Sequence, residues 1–207
     1  MEVKRFVVGE FATNCYLLWS PGTRQAMVVD PGAEPETILA AVKEADLSVV
    51  AVVNTHGHGD HIMGNAALLA ATGAELLIGA PDAPFLDDAV ANLSLWLGRP
   101  LTVAPPHRLL HHGDVLTLDR ARFVVLSTPG HTPGSITLYG EGLVLTGDTL
   151  FAGGIGRTDL PGGDEGVLLA SISRELLSLP DETRVLPGHG PETTIGRERL
   201  GNPFLVV

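Results

Sequence analysis

Four short apolar runs in this chain each end in a turn of small residues that carries a histidine or an aspartate. Leu47-Ser48-Val49-Val50-Ala51-Val52-Val53 leads into Thr55-His56-Gly57-His58-Gly59-Asp60-His61, and Arg122-Phe123-Val124-Val125-Leu126 into Thr128-Pro129-Gly130-His131-Thr132-Pro133-Gly134. Gly142-Leu143-Val144-Leu145 leads into Thr146-Gly147-Asp148-Thr149, and Thr183-Arg184-Val185-Leu186 into Pro187-Gly188-His189-Gly190. A short apolar run bounded by turn residues reads as a buried strand. In open sheets, ligands bind outside the carboxyl ends of the strands, where the loops converge on one crevice. A fold that uses this pattern brings His56, His58, Asp60, His61, His131, Asp148 and His189 together. One histidine or aspartate in a Gly-Pro turn is ordinary turn chemistry; four such turns, each at a strand end, indicate a site.

The first turn is the densest, with three imidazoles and a carboxylate within six residues. Neutral imidazole and carboxylate are ligands for borderline dications such as zinc, iron or manganese. A loop this short cannot place all four side chains on one ion without strain, so two adjacent ions sharing it are expected. Gly57 and Gly59 allow the backbone to turn and approach closely. Asp60 also stands where it could cap a helix beginning near His61, a role compatible with metal binding.

These motifs resemble those of the metallo-β-lactamase superfamily, and within it the glyoxalase II-like (hydroxyacylglutathione hydrolase-like) hydrolases. The resemblance runs from Asn14-Cys15-Tyr16 to Asn202-Pro203-Phe204. It implies an α/β fold, the αβ/βα sandwich, with two mixed sheets packed face to face, helices outside and the metals at one edge. It assigns His56, His58 and His131 to one divalent ion, Asp60, His61 and His189 to a second, and Asp148 to both. Zinc is the first expectation for the pair, with iron or manganese as the other candidates. The resemblance further implies attack of a metal-bridging hydroxide on an ester or thioester carbonyl, with Asp60 and Asp148 orienting it and Asp60 counted as catalytic. A thioesterase acting on a glutathione-type or other small acyl thioester is therefore expected. Glyoxalase II itself adds a C-terminal helical region that helps bind glutathione, whereas about seventeen residues follow Gly190 here. The run Gly156-Arg157-Thr158-Asp159 also resembles the persulfide dioxygenases, which use mononuclear iron and would work with His56, His58 or its neighbours, His131 and Asp148.

Composition narrows the alternatives. At 207 residues and 44% hydrophobic content, one domain spanning 1–207 can build a sizeable core. A formal charge of −11 with scattered basic residues argues against nucleic acid as a partner. No run approaches the roughly 18 apolar residues of a membrane span, and no membrane partner is expected. Lys4 and Arg5 are followed by Gly9 and Glu10 rather than an apolar stretch, so no secretory leader is read. With a single cysteine, Cys15, in an apolar strand, a reducing cytoplasm is the expected compartment.

Other residues carry open readings. Arg157 could clamp a substrate carboxylate or pair with Asp159 or Asp164. Phe151 could line the substrate cleft or sit in the core. Trp19 and Trp96 are expected to be packing aromatics, and His107, His111 and His112 loop or strand-edge residues. Strands are expected near 2–8, 14–19, 26–30, 49–53, 75–79, 115–118, 122–127, 135–139, 143–147 and 183–186, and helices over 35–45, 61–72, 83–97 and 164–178. The Pro-rich stretch 100–112 has no assignment.

Overall fold

In the computed structural model, which describes residues 1–96 and 98–205, two six-stranded sheets pack against each other. The first contains β1 (Glu2–Val8), β2 (Thr13–Trp19), β3 (Gln25–Val29), β4 (Ser48–Asn54), β5 (Glu75–Gly79) and β6 (Arg108–Leu110), side by side in chain order. Its β1 to β3 are antiparallel and β3 to β6 parallel. The second contains β7 (Val115–Leu118), β8 (Ala121–Ser127), β9 (Ile136–Gly140), β10 (Leu143–Gly147), β13 (Arg184–Pro187) and β14 (Thr193–Thr194), in the order β14-β13-β10-β9-β8-β7. Only its β10–β13 pair is parallel. A small hairpin, β11 (Leu150–Phe151) and β12 (Gly154–Ile155), follows Asp148. Both sheets are mixed, as the sequence led us to expect.

The two-residue alternation of a strand explains the layers. Tyr16, Leu18, Met27, Val29, Val53 and Leu77 face Phe123, Val125, Leu138, Leu145 and Leu186 across the space between the sheets. Their neighbours Cys15, Leu17, Val28, Val52, Leu76 and Ile78 point the other way, against α1 (Pro35–Glu44), α2 (Gly59–Ile62) and α3 (Asn65–Thr72). On α1 the buried residues are Ile38, Ala41 and Val42, the stripe of one helix face. Behind the second sheet, Val144 and Val185 meet Leu168, Ile172, Leu176 and Ile195. These come from α4 (Glu165–Ser171), a π-helical turn (Ile172–Leu176) and α5 (Ile195–Gly201). Asp164 caps α4 by accepting the Val167 N–H at 2.9 Å. No helix among the described residues is long and apolar enough to cross a membrane.

Three helical expectations are corrected. The segment 61–72 is not one helix: the chain breaks at Met63–Gly64, where the Gly64 N–H donates to the Pro31 carbonyl at 2.7 Å. The segment 83–97 is a 3-10 helix, Ala80–Asp87, followed by turns; position 97 lies outside the described residues. Pro81 and Pro84 remove donors from an α-helical ladder there, and the Asp88 carboxylate accepts the N–H groups of Val90 and Ala91 to turn the chain. In 164–178 the α-helix loosens to π geometry at Ile172. Sequence reading also left out β6, the β11–β12 hairpin, β14 and α5.

Candidate metal centre

The four ligand-bearing turns all leave their sheets at one end of the sandwich. His56 to His61 follow β4, His131 follows β8, Asp148 follows β10 and His189 follows β13. Backbone hydrogen bonds join the sheets at this end, from Ile136 N–H to the Thr55 carbonyl (2.8 Å) and from Asn14 N–H to the Gly188 carbonyl (2.7 Å). Asn14 and Tyr16 on β2 also donate side-chain hydrogen bonds to the Pro187 carbonyl, at 2.9 and 2.8 Å. Gly188 must be a glycine: a β-carbon there would collide with Asp148 Oδ1 and stand 2.8 Å from His61 Cε1.

All seven sequence-derived residues are brought together. They form three overlapping groups: His56–His58–His131, His56–His61–Asp148 and Asp60–His61–His189. In the first, His58 Nδ1 and His131 Nε2 are 2.9 Å apart. In the last, His61 Nε2 is 3.3 Å from His189 Nε2 and 3.5 Å from Asp60 Oδ2, and His189 Nε2 is 3.3 Å from that oxygen. Two ligands of a tetrahedral zinc at about 2.0–2.1 Å stand about 3.3 Å from each other, so these spacings suit shared ions. Asp148 reaches both groups, Oδ1 lying 3.4 Å from His61 Nε2 and Oδ2 3.6 Å from His131 and 3.5 Å from His189.

Buried polar atoms without a partner provide the fit test. His56 Nε2, His58 Nε2 and Asp148 Oδ1 are buried and make no hydrogen bond. Burying such groups unpaired is costly, and they are ordinarily paired with a proton donor, an acceptor or an ion. The other ring nitrogens are tied to acceptors that force a tautomer. His131 Nδ1 donates to the Arg157 carbonyl (2.7 Å), His189 Nδ1 to the Phe11 carbonyl (3.0 Å), and His61 Nδ1 to Asp30 Oδ2 (3.0 Å). In the neutral ring each leaves Nε2 as the free lone pair toward the centre, the arrangement that serves metal-ligating histidines. The donor set fits two divalent ions.

The electrostatics are those of a site built for positive charge. Burial alone would lower His61, but the carboxylates of Asp60, Asp148 and Asp30 outweigh it and raise its pKa well above the ordinary value. His189 behaves likewise, rising to about 9 against burial because of Asp148 and Asp60. His58 is lowered to about 3, first by burial and then by the charge on His131. Burial, and then the neighbouring imidazoles, depress His56.

Two further carboxylates hold this assembly and were missed in the sequence. Asp30, just after β3, accepts the Thr55 N–H (2.8 Å) and hydroxyl (2.7 Å) as well as His61. Asp82, fully buried in the 3-10 helix after β5, accepts the Gly57 N–H (2.9 Å), the Thr132 hydroxyl (2.7 Å) and the Gly134 N–H (2.6 Å). It ties the His56–His58 turn to the turn after His131. Burial raises its carboxyl pKa, while these hydrogen bonds from Thr132, Gly57 and Gly134 pull the other way. Their common signal, an acidic residue one to three positions past an apolar strand, is the one that marked Asp148.

The remaining candidates separate clearly. Phe151 lines the cleft before the cluster, its ring 6.1 Å from that of His189. Arg157 lines it too, but its Nε and Nη2 are each 2.7 Å from an Asp159 oxygen, so the pairing reading holds. Trp96 is not a packing aromatic: it is 76% exposed at the cleft. Trp19 does pack, against the core under α1. His107 accepts the Leu76 N–H and His112 the Ser127 N–H, while the exposed His111 side chain faces Asp114, so all three are remote from the cluster.

The sequence profile of the metallo-beta-lactamase superfamily matches residues 8–189, and the chain belongs to that superfamily. Over 99% of its length it is 37% identical to the hydroxyacylglutathione hydrolase GloC of Haemophilus influenzae, covering 98% of that protein. Among solved structures it superposes on the BLEG-1 B3 metallo-beta-lactamase with TM-score 0.95 at 39% identity, each chain fully covered. TTHA1623 in a di-iron-bound form gives 0.86 at 39%, with 98% of this chain and 100% of that one covered. ETHE1 from Myxococcus xanthus gives 0.82 at 35%, with 98% and 84% covered. The chain is thus a hydrolase-type enzyme of this superfamily, with a cluster that fits a dinuclear metal site.

Proposed function

We propose that the protein is a cytoplasmic thioesterase that hydrolyses a glutathione-type or other small acyl thioester at two divalent ions, zinc first among them. The observation that carries this reading is the pair of ligand groups at one cleft, His56–His58–His131 and Asp60–His61–His189, with an Asp148 oxygen 3.6 Å from His131 and 3.5 Å from His189. His56, His58 and His131 would hold one ion, Asp60, His61 and His189 the other, and Asp148 both. Such ions acidify a bound water toward neutral pH and offer positive charge to a developing oxyanion. Asp60 is the catalytic carboxylate of the chain. It opens to the cleft, and the Thr13 hydroxyl donates to its Oδ2 at 3.1 Å, which fixes the carboxylate where it would orient a water at the centre. The Phe11 and Arg157 carbonyls keep His189 and His131 in the tautomers that face the centre. A thiolate leaves without a dedicated acid, and none is needed in the cleft. The likeness to GloC supports the thioester substrate.

The likeness to ETHE1 and the Gly156-Arg157-Thr158-Asp159 run favour a second reading, a mononuclear-iron persulfide dioxygenase. Protein loaded separately with zinc, manganese or iron and offered S-lactoylglutathione distinguishes the two. Thioester loss without oxygen uptake is the expected result. No turnover with any metal, together with oxygen uptake on glutathione persulfide by the one-iron form, would replace the thioesterase with the dioxygenase.

A further inference from the structure

The cleft in front of the cluster has walls of one chemistry. Phe11, Leu93, Trp96, Phe151, Ile155 and Leu160 line a space of ≈ 720 Å³, ample for a drug-sized ligand. Trp96 and Phe11 are 76% and 52% exposed, so the cleft is rimmed by large rings held in water. Proteins keep such apolar surface where something binds. Among the described lining residues outside the cluster, the cation Arg157 is already matched by both oxygens of Asp159. Apolar area, not charge, is what the walls offer a ligand beyond the metal ligands themselves.

We infer that the substrate is recognised through an apolar acyl group, alkyl or aryl, which lies along Phe151 and Ile155 toward Trp96 while its carbonyl sits at the His–Asp cluster. This rests on the thioesterase reading above. Phe151 stands beside His189, so a substituent of the reacting carbonyl that turns into the cleft meets the apolar wall at once, and the acyl chain is the substituent placed there. The reaction balances simply: water adds to the carbonyl carbon, the C–S bond breaks, and a carboxylate, a proton and a thiol leave.

The test is a series of N-acetylcysteamine thioesters, acetyl, butyryl, hexanoyl, octanoyl and phenylacetyl, with zinc-loaded protein. Expected is a kcat/KM that rises roughly threefold to fourfold per added methylene until the cleft is filled. Trp96→Ala should flatten the series and Trp96→Phe restore most of it. A flat or falling series in the unaltered protein overturns the inference. Binding is read independently from Trp96 fluorescence in a Trp19→Phe background. S-hexyl-N-acetylcysteamine, which cannot be hydrolysed, should blue-shift the emission at far lower concentration than the S-methyl analogue. Emission unmoved by either compound overturns the inference. A fluorescence preference for hexyl without hydrolysis of any thioester keeps the apolar cleft and removes the thioesterase; hydrolysis without chain-length dependence does the reverse.

Discussion

At the scale of single residues, the centre depends on groups that never touch an ion. Asp82 accepts three hydrogen bonds from the two turns that carry His56, His58 and His131. Removing such a supporting partner typically weakens a site 10- to 100-fold. Asp82→Ala should therefore weaken zinc binding by about that factor in a chelator competition, with Asp82→Asn losing less because an amide oxygen still accepts. Unchanged affinity in Asp82→Ala would remove it from this role. The seven cluster residues were legible because imidazoles are scarce and their positions coincide with strand ends. Asp30 and Asp82 were not, because a lone acid in a Pro-containing turn has the same local appearance whether or not it is buried under a loop. The exposure of Trp96 was equally hidden, since an aromatic in an apolar-looking segment gives no sign of which side it faces.

At the scale of elements, strands were readable and short helices were not. Every strand of four or more residues was anticipated, because alternating or continuous apolar runs such as Val49–Val53 survive any change of packing partner. Besides the two-residue strands β11, β12 and β14, what escaped were β6, whose three residues follow Pro105-Pro106, and α5, whose seven residues hold a glycine near each end. Their ends are defined by distant contacts: Arg108 pairs with Leu77, and the Ile195 N–H donates to the Thr183 carbonyl. The helix expected over 83–97 failed because side-chain and proline effects outrank apolar spacing over so short a span. The layer between the sheets is one of the two large buried clusters of the fold. Leu138 is fully buried there, and Leu138→Ala should cost about 2–5 kcal/mol in a denaturant titration. A change under 1 kcal/mol would mean that the sheets do not pack as described.

At the scale of the whole molecule, the cluster couples metal, protons and folding. Without metal, His189 titrates at about 9 in the folded chain against an ordinary 6.5, so folding binds its proton more tightly. Its stabilisation is full below pH 6.5 and is lost as pH rises to about 9. His58, lowered to about 3 by burial first, acts in the opposite direction. The unfolded chain takes up that proton below pH 6.5, so this histidine costs stability as pH falls toward 3. The EDTA-treated protein should accordingly be most stable near pH 6.5 and weaken on both sides in denaturant titrations. Bound metal, which displaces these protons, should flatten the alkaline limb. An alkaline limb that persists unchanged in the metal-loaded protein would contradict the coupling.

The central claim is that two ions share Asp148, and a titration of metal-free protein with zinc tests it most directly. Thioester hydrolysis should rise until two equivalents per chain are bound, and Asp148→Ala should lose both tight binding and activity. Full activity at one equivalent, or retained activity in Asp148→Ala, would contradict the account.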